Sequence, residues 1–255
     1  MQKYLVLLFL VTFTVVAGTK DEYTADQIID KSMNHKTFSY DNSESRIIMT
    51  LIEKKSGTQE KRTVKIRSKK NKNITKVISL FIGGKEINGV KFLAIEKKNG
   101  DDEQYIYYPA QNRINRIVSK NSKNQHFLGT DFTYYDIEGK YRKDGIFKRL
   151  KDKKVNKQEC YVISAKSKKE SPYSKTVMYI RKSDFLPIKV KFYNKDGKYF
   201  KKYSVKKTKI QDGKTIITKS QMVDKKRGHA TILTLDYVDF NAKISDSEFN
   251  KENLR

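Results

Sequence analysis

Few side chains in this sequence have the type and spacing to do chemistry. His35, His126 and His229 stand in unrelated contexts and lack metal-ligand spacing. Cys160 is the only cysteine and lies in the alternating run CYVIS, the pattern of a buried strand position. A lone thiol with no placed histidine is a poor nucleophile. Asp101, Asp102 and Glu103 form an acidic trio, but they directly follow Asn99-Gly100 and suit a solvated hairpin tip. The chain has no glycine-rich phosphate loop, no G-x-S-x-G elbow and no H-E-x-x-H. What remains is HFLGTDFTYYDIEG, His126 to Gly139, with four aromatic rings, three carboxylates and two glycines. Asp131 and Asp136 could form a pair of catalytic carboxylates. They suit equally well the cap and first turn of a short helix opening after Gly129, bearing Phe132, Tyr135 and Ile137. No catalytic residue, metal ligand or cofactor is assigned.

The elements that must position this stretch are almost all strands. Near the start, Thr24 and Gln27 form a capping box, Tyr23 and Ile28 a hydrophobic staple, and Ile28, Ile29 and Met33 an apolar helix face. Strand patterns then occupy 47–55, 62–70, 74–82, 90–98 and 103–110, and recur from CYVISAKS to ATILTLDYV. Asp-Gly pairs at 196–197 and 212–213, the Asp184–Pro187 run and Arg227-Gly228 mark turns. The connections are too short for helical crossovers. The expected architecture is therefore a mainly antiparallel meander of about ten or eleven strands, curled by its twist into an open or closed barrel. Ile47, Met49 and Leu51 share one strand face, and Ile78, Leu80 and Ile82 share another. Either Leu233, Leu235 and Tyr237 or Ile232 and Val238 point inward. Such a barrel holds either a side-chain core or a cavity for an apolar ligand.

The opening MQKYLVLLFLVTFTVVAG has a positive n-region, a 13-residue apolar run and small residues at Val15 and Ala17. It reads as a cleavable signal peptide over 1–17, leaving Gly18 first, because a bilayer span needs roughly 20 apolar residues. An uncleaved anchor is the alternative. Residues 18–255 then form one domain, stabilised by its core rather than by disulfides. The net charge is +26, which suits an anionic partner. Yet only 10 of the 55 basic residues are arginine, and asparagine is abundant, as A·T-rich coding would produce. Both readings stand, and nucleic acid is not expected as a partner.

Three blocks resemble the outer-membrane lipoprotein-sorting, LolA-like family: GGKEINGVKFLAIEK; YIYYPAQNRINRI with FLGTDFTYYDI; and IRKSDFLPIKVKFYNKDGKYFKKY with VDFNAKISDSEFNKENL. Leu128 stands where Met is usual, Thr130 where Ser is, Tyr135 where an acid is common, and Tyr105 where many relatives carry Trp. The resemblance implies a curved antiparallel sheet, an incomplete barrel with helices across its concave side. It implies an apolar half-barrel cavity for the acyl chains of lipoproteins or phospholipids, a periplasmic carrier role and no catalysis. The expected lining is Ile47, Met49, Leu51, Ile78, Leu80, Phe92, Phe127, Phe132, Met178, Phe192, Leu233 and Leu235. Expected partners are an inner-membrane exporter and an outer-membrane acceptor, with the carrier itself a monomer. His126–Gly139 becomes a plug over the open side, as a core joint or as a wall or lid of the cavity. Two rivals remain: a sensor module of the same fold acting with a membrane protein, and a secreted binder of anionic polymer.

Overall fold

Thirteen strands pair antiparallel into one open sheet in the computed structural model, which describes residues 23–255 except 34, 36–39, 72–73, 85, 98–101, 118–123, 139–144 and 169. The expected signal peptide lies outside the described residues, as does the Asn99-Gly100 turn. The strands are β1 (Ser43–Glu53), β2 (Gln59–Asn71), β3 (Ile74–Ile82), β4 (Lys91–Ile95), β5 (Glu103–Tyr108), β6 (Arg113–Arg116), β7 (Gly145–Val155), β8 (Gln158–Ser167), β9 (Lys175–Arg181), β10 (Pro187–Tyr193), β11 (Tyr199–Gln211), β12 (Lys214–Asp224) and β13 (His229–Asp239). Their order in the sheet is β6-β5-β4-β3-β2-β1-β13-β12-β11-β10-β9-β8-β7. This corrects the single meander of ten or eleven strands. Two meanders run outward from a central β1–β13 pair, and β6 and β7 are additional edge strands. The sheet is curved and unclosed, an incomplete barrel.

Helix α1 (Ala25–Met33) starts as its sequence dictates. Gln27 N–H donates to Thr24 Oγ1 (3.3 Å) and Thr24 N–H to Gln27 Oε1 (2.9 Å), a reciprocal capping box. Ile28 and Ile29 are buried against Ile163, Met178 and Phe192. Tyr23, expected to staple onto Ile28, sets its ring edge-on to Phe185 and Tyr161.

Register fixes which side chains share a face, because residues directly opposite in a ladder point the same way. Val64 faces Ile47, Ile47 faces Leu235, Met222 faces Tyr203, Val190 faces Met178 and Met178 faces Ile163. This inner face runs across the whole sheet. In β13 the expected alternatives are both half met. Leu233 and Leu235 are buried, and a bulge at Asp236 then turns Val238 inward and leaves Tyr237 outside. On the outer face, 3₁₀ turns at Asp246–Phe249 and Lys251–Leu254 press Phe249 and Leu254 onto Leu93 and Ile78. Arg67 holds them there, donating to Glu248 and to Glu44 of β1 (both 2.6 Å).

Candidate functional site

The stretch from Gln125 to Glu138 lies across the inner face and is folded on itself. Phe127 N–H donates to the Phe132 carbonyl (2.8 Å), and His126 bridges to Thr133. Leu128 (φ 46, ψ 44) and Gly129 (φ 76) adopt left-handed backbone in succession. Such a conformation costs a residue bearing a Cβ about 1–2 kcal/mol, so something must hold Leu128 in place. Two arginines do so. Arg62 of β2 donates to the Leu128 carbonyl (2.5 Å), and Arg227 donates to the carbonyls of Gly129 (3.2 Å) and Thr130 (2.8 Å).

The short helix is α2 (Tyr134–Glu138), and its cap differs from expectation. Thr133 is the capping residue. Its N–H donates to Asp136 Oδ2 (2.8 Å), and Asp136 N–H donates to Thr133 Oγ1 (3.2 Å). Phe132 therefore precedes the helix, and neither Thr130 nor Asp131 caps it.

Asp131 and Asp136 are drawn in different directions. Asp131 is fully buried and reaches β13: His229 donates from Nδ1 to Oδ2 (2.7 Å), Thr231 Oγ1 donates to the same oxygen (2.8 Å), and Arg227 donates to Oδ1 (3.2 Å). Asp136 accepts from Lys201 of β11 (2.7 Å) and from the Tyr173 hydroxyl (2.8 Å). Both members of the Lys201–Asp136 pair are almost fully buried, at 1% and 3% side-chain exposure. Lys201 also donates to the Asp131 carbonyl (3.3 Å) and to Tyr173 Oη. Each carboxylate thus carries its own cationic and hydroxyl partners, the arrangement of two latches rather than of an acid–base couple. His126 beside them is held below the usual histidine range by burial and by the charges of Arg227 and Lys201.

Around the latches the segment carries apolar rings. Phe127 meets Phe81, Phe92 and Tyr134, with ring centroids 5.7, 5.0 and 5.2 Å away. Phe132 is only partly buried and packs against both inner clusters, its ring 6.4 Å from Tyr203. Of the residues expected to line a cavity, Ile47, Met49, Leu51, Phe92, Phe127, Leu233 and Leu235 share one cluster. Met178 and Phe192 join the cluster under α1, and Phe132 spans the seam. Ile78 and Leu80 lie instead on the outer face, Ile78 beneath the C-terminal turns, and Phe81 takes the inner position in β3. Arg62, Lys201, Arg227 and Tyr173 were not anticipated, and His229 was seen only as an isolated histidine. Cys160 is buried as expected, and burial pushes its thiol up.

A family model described as "Uncharacterized protein" matches residues 73–255. No curated protein matches the chain in sequence. Among solved structures, a domain from Vibrio parahaemolyticus described as outer membrane lipoprotein-sorting is 25% identical, with a TM-score of 0.81 over 90% of this chain and 97% of that one. A DUF1329 family protein from Desulfovibrio piger has a TM-score of 0.81 at 22% identity, over 91% and 99%. A LolA superfamily protein from Nitrosomonas europaea has a TM-score of 0.69 at 19% identity, over 90% and 99%. The last two are likenesses of fold.

Proposed function

Because the chain belongs to the family whose model spans residues 73–255, and folds like a lipoprotein-sorting domain, we propose that it is a periplasmic carrier of acyl chains. Its cargo is a lipoprotein or phospholipid, taken from an inner-membrane exporter and passed toward an acceptor at the outer membrane. It works as a monomer and without catalysis. One observation carries the reading. Among the described residues a continuous apolar face is covered by α1 and the latched segment, neither of them a strand of the sheet, so it can be uncovered without breaking the sheet. An acyl chain crossing water exposes its methylenes at about 0.8 kcal/mol each, and a dry face under a movable cover removes that cost. Phe132, at the seam of the two clusters, stands where the chain would enter. Ile47, Met49, Leu51, Phe92, Leu233 and Leu235 would contact it on one side, Met178 and Phe192 on the other.

The test is mass spectrometry of lipids retained by the protein purified from its native envelope, with titration of a fluorescent fatty acid into the delipidated protein. Retained acyl lipid and saturable probe binding are expected. No retained lipid and no probe binding would overturn the carrier reading in favour of a sensor module of the same fold.

A further inference from the structure

One run of neighbouring strands carries basic residues almost without acids. In β9, β10, β11 and β12 the only carboxylate is Asp224, which is buried and shares the inner face with Lys201. Lys189, Lys191 and Lys202 all point outward, since Lys191 faces Lys202 across one ladder and Lys189 faces Tyr179 across the next. Elsewhere basic side chains meet acids: Arg46 meets Asp236, Arg67 meets Glu44, Lys97 meets Glu103 and Lys154 meets Glu159. On these strands Arg181 meets Asp184, but a group of lysines lies over tyrosine rings. Lys189 Nζ lies 4.9 Å from the centre of the Tyr179 ring, Lys191 lies 5.4 Å and Lys225 4.3 Å from that of Tyr199, and Lys175 lies 4.8 Å from that of Tyr193. The lysines also repel one another. Lys202 is held below the usual lysine range by burial and then by Lys206, Lys225, Lys54 and Lys191, and Lys189 by burial and then by Lys191 and Lys202.

We propose that this outer lysine–tyrosine face docks the protein on the surface of an anionic phospholipid bilayer. The ammonium groups of Lys175, Lys189, Lys191 and Lys225 lie over tyrosine rings, and cations held in place across one face suit a broad layer of negative headgroups. The four strands give a face roughly 15 Å across at about 4.8 Å per strand. Single-stranded nucleic acid fits less well. Tyr179 is only 8% exposed and cannot stack on a base, and the one arginine of these strands, Arg181, already grips Asp184 with its fork. Docking through the outer face leaves Gln125–Glu138 directed away from the bilayer and open to a protein partner. The proposal is independent of the acyl-chain reading.

The experiment is co-sedimentation of the full chain with vesicles of phosphatidylcholine alone or mixed with phosphatidylglycerol, at low and high salt. Binding is expected only to the mixed vesicles and to fall with salt. The triple variant Lys189→Gln/Lys191→Gln/Lys202→Gln removes the charges with polar side chains in their place and should bind about a hundredfold more weakly, at about fivefold per lysine. The control Lys154→Gln/Lys251→Gln should bind like the parent. Thermal melts and titration with the fluorescent fatty acid should match the parent for both variants, which separates this face from the inner one. Equal binding to neutral vesicles, equal loss in the control, or displacement of vesicles by a DNA oligonucleotide would overturn the proposal.

Discussion

Lys201 and Asp136 place two opposite charges where water does not reach, and neither is tolerable there alone. Removing one partner of a buried pair leaves an uncompensated charge and costs about 3–5 kcal/mol. Lys201→Met should therefore lower the melting temperature by roughly 6–20 °C, at about 2–4 °C per kcal/mol for a chain of this size. Lys201→Met/Asp136→Asn should recover most of the loss, because the amide oxygen can still accept from Thr133 N–H while the amide nitrogen donates to Tyr173 Oη in place of Lys201. Paired melts of the three proteins decide this, and a double variant no better than the single one would refute the latch. The two phenylalanines divide differently. Phe127 sits inside an aromatic cluster, so Phe127→Ala should cost about 3–5 kcal/mol and leave probe affinity per folded molecule unchanged. Phe132→Ala should lose less stability but change the affinity and chain-length preference of the fluorescent fatty acid. An identical affinity across chain lengths would reduce the cover to a structural joint. Cys160, buried and with its thiol pushed up, should resist iodoacetamide at pH 8 until the protein is unfolded.

At the level of elements, alternation was a reliable guide where one face is wet and failed where both are covered. In β1 the face opposite Ile47, Met49 and Leu51 mixes Glu44, Arg46 and Thr50 with Ile48 and Ile52, so the more apolar face could be placed from sequence. In β3 the run ITKVISLFI is apolar on both sides, because Phe81 enters the inner core while Ile78 lies under the C-terminal turns. Periodicity alone does not say which side is which. β7 was invisible for two reasons. It is an edge strand studded with lysines, a common guard against pairing with another chain. Its two-residue turn to β8 is Asn156-Lys157, with both residues at positive φ (49° and 65°), without the glycine that usually announces such a turn. Lys157→Gly should therefore stabilise the protein by about 1 kcal/mol and raise the melting temperature by about 2–4 °C. A lower melting temperature would mean that the lysine side chain contributes something the backbone does not reveal. The latch partners were illegible for a different reason. Arg227, His229 and Thr231 lie about a hundred residues from Asp131, and Lys201 is one lysine among many.

For the molecule as a whole, carboxylates tie distant elements together and set its acid limit. Glu44 is held below its usual range by the Tyr237 hydroxyl and by Arg67. Asp184 is pushed up by burial but brought lower overall by Arg181 and the Leu186 N–H. A carboxylate whose folded pKa is depressed contributes stability above its unfolded value, about pH 4, and loses it as pH falls through the lower folded value. Melting temperature should therefore drop steeply below about pH 4, and Glu44→Gln should flatten that limb; an unchanged limb would place the acid sensitivity elsewhere. The central β1–β13 pair has a further consequence, for the order of assembly. Each meander can zip up from neighbouring hairpins, but the two join only when residues near 45 and 237 meet. Contacts of such sequence separation are slow to form. A chain emerging from a ribosome therefore cannot complete its sheet until its last strand is free. Until then the first meander holds β1 as an open edge with no strand to pair on that side.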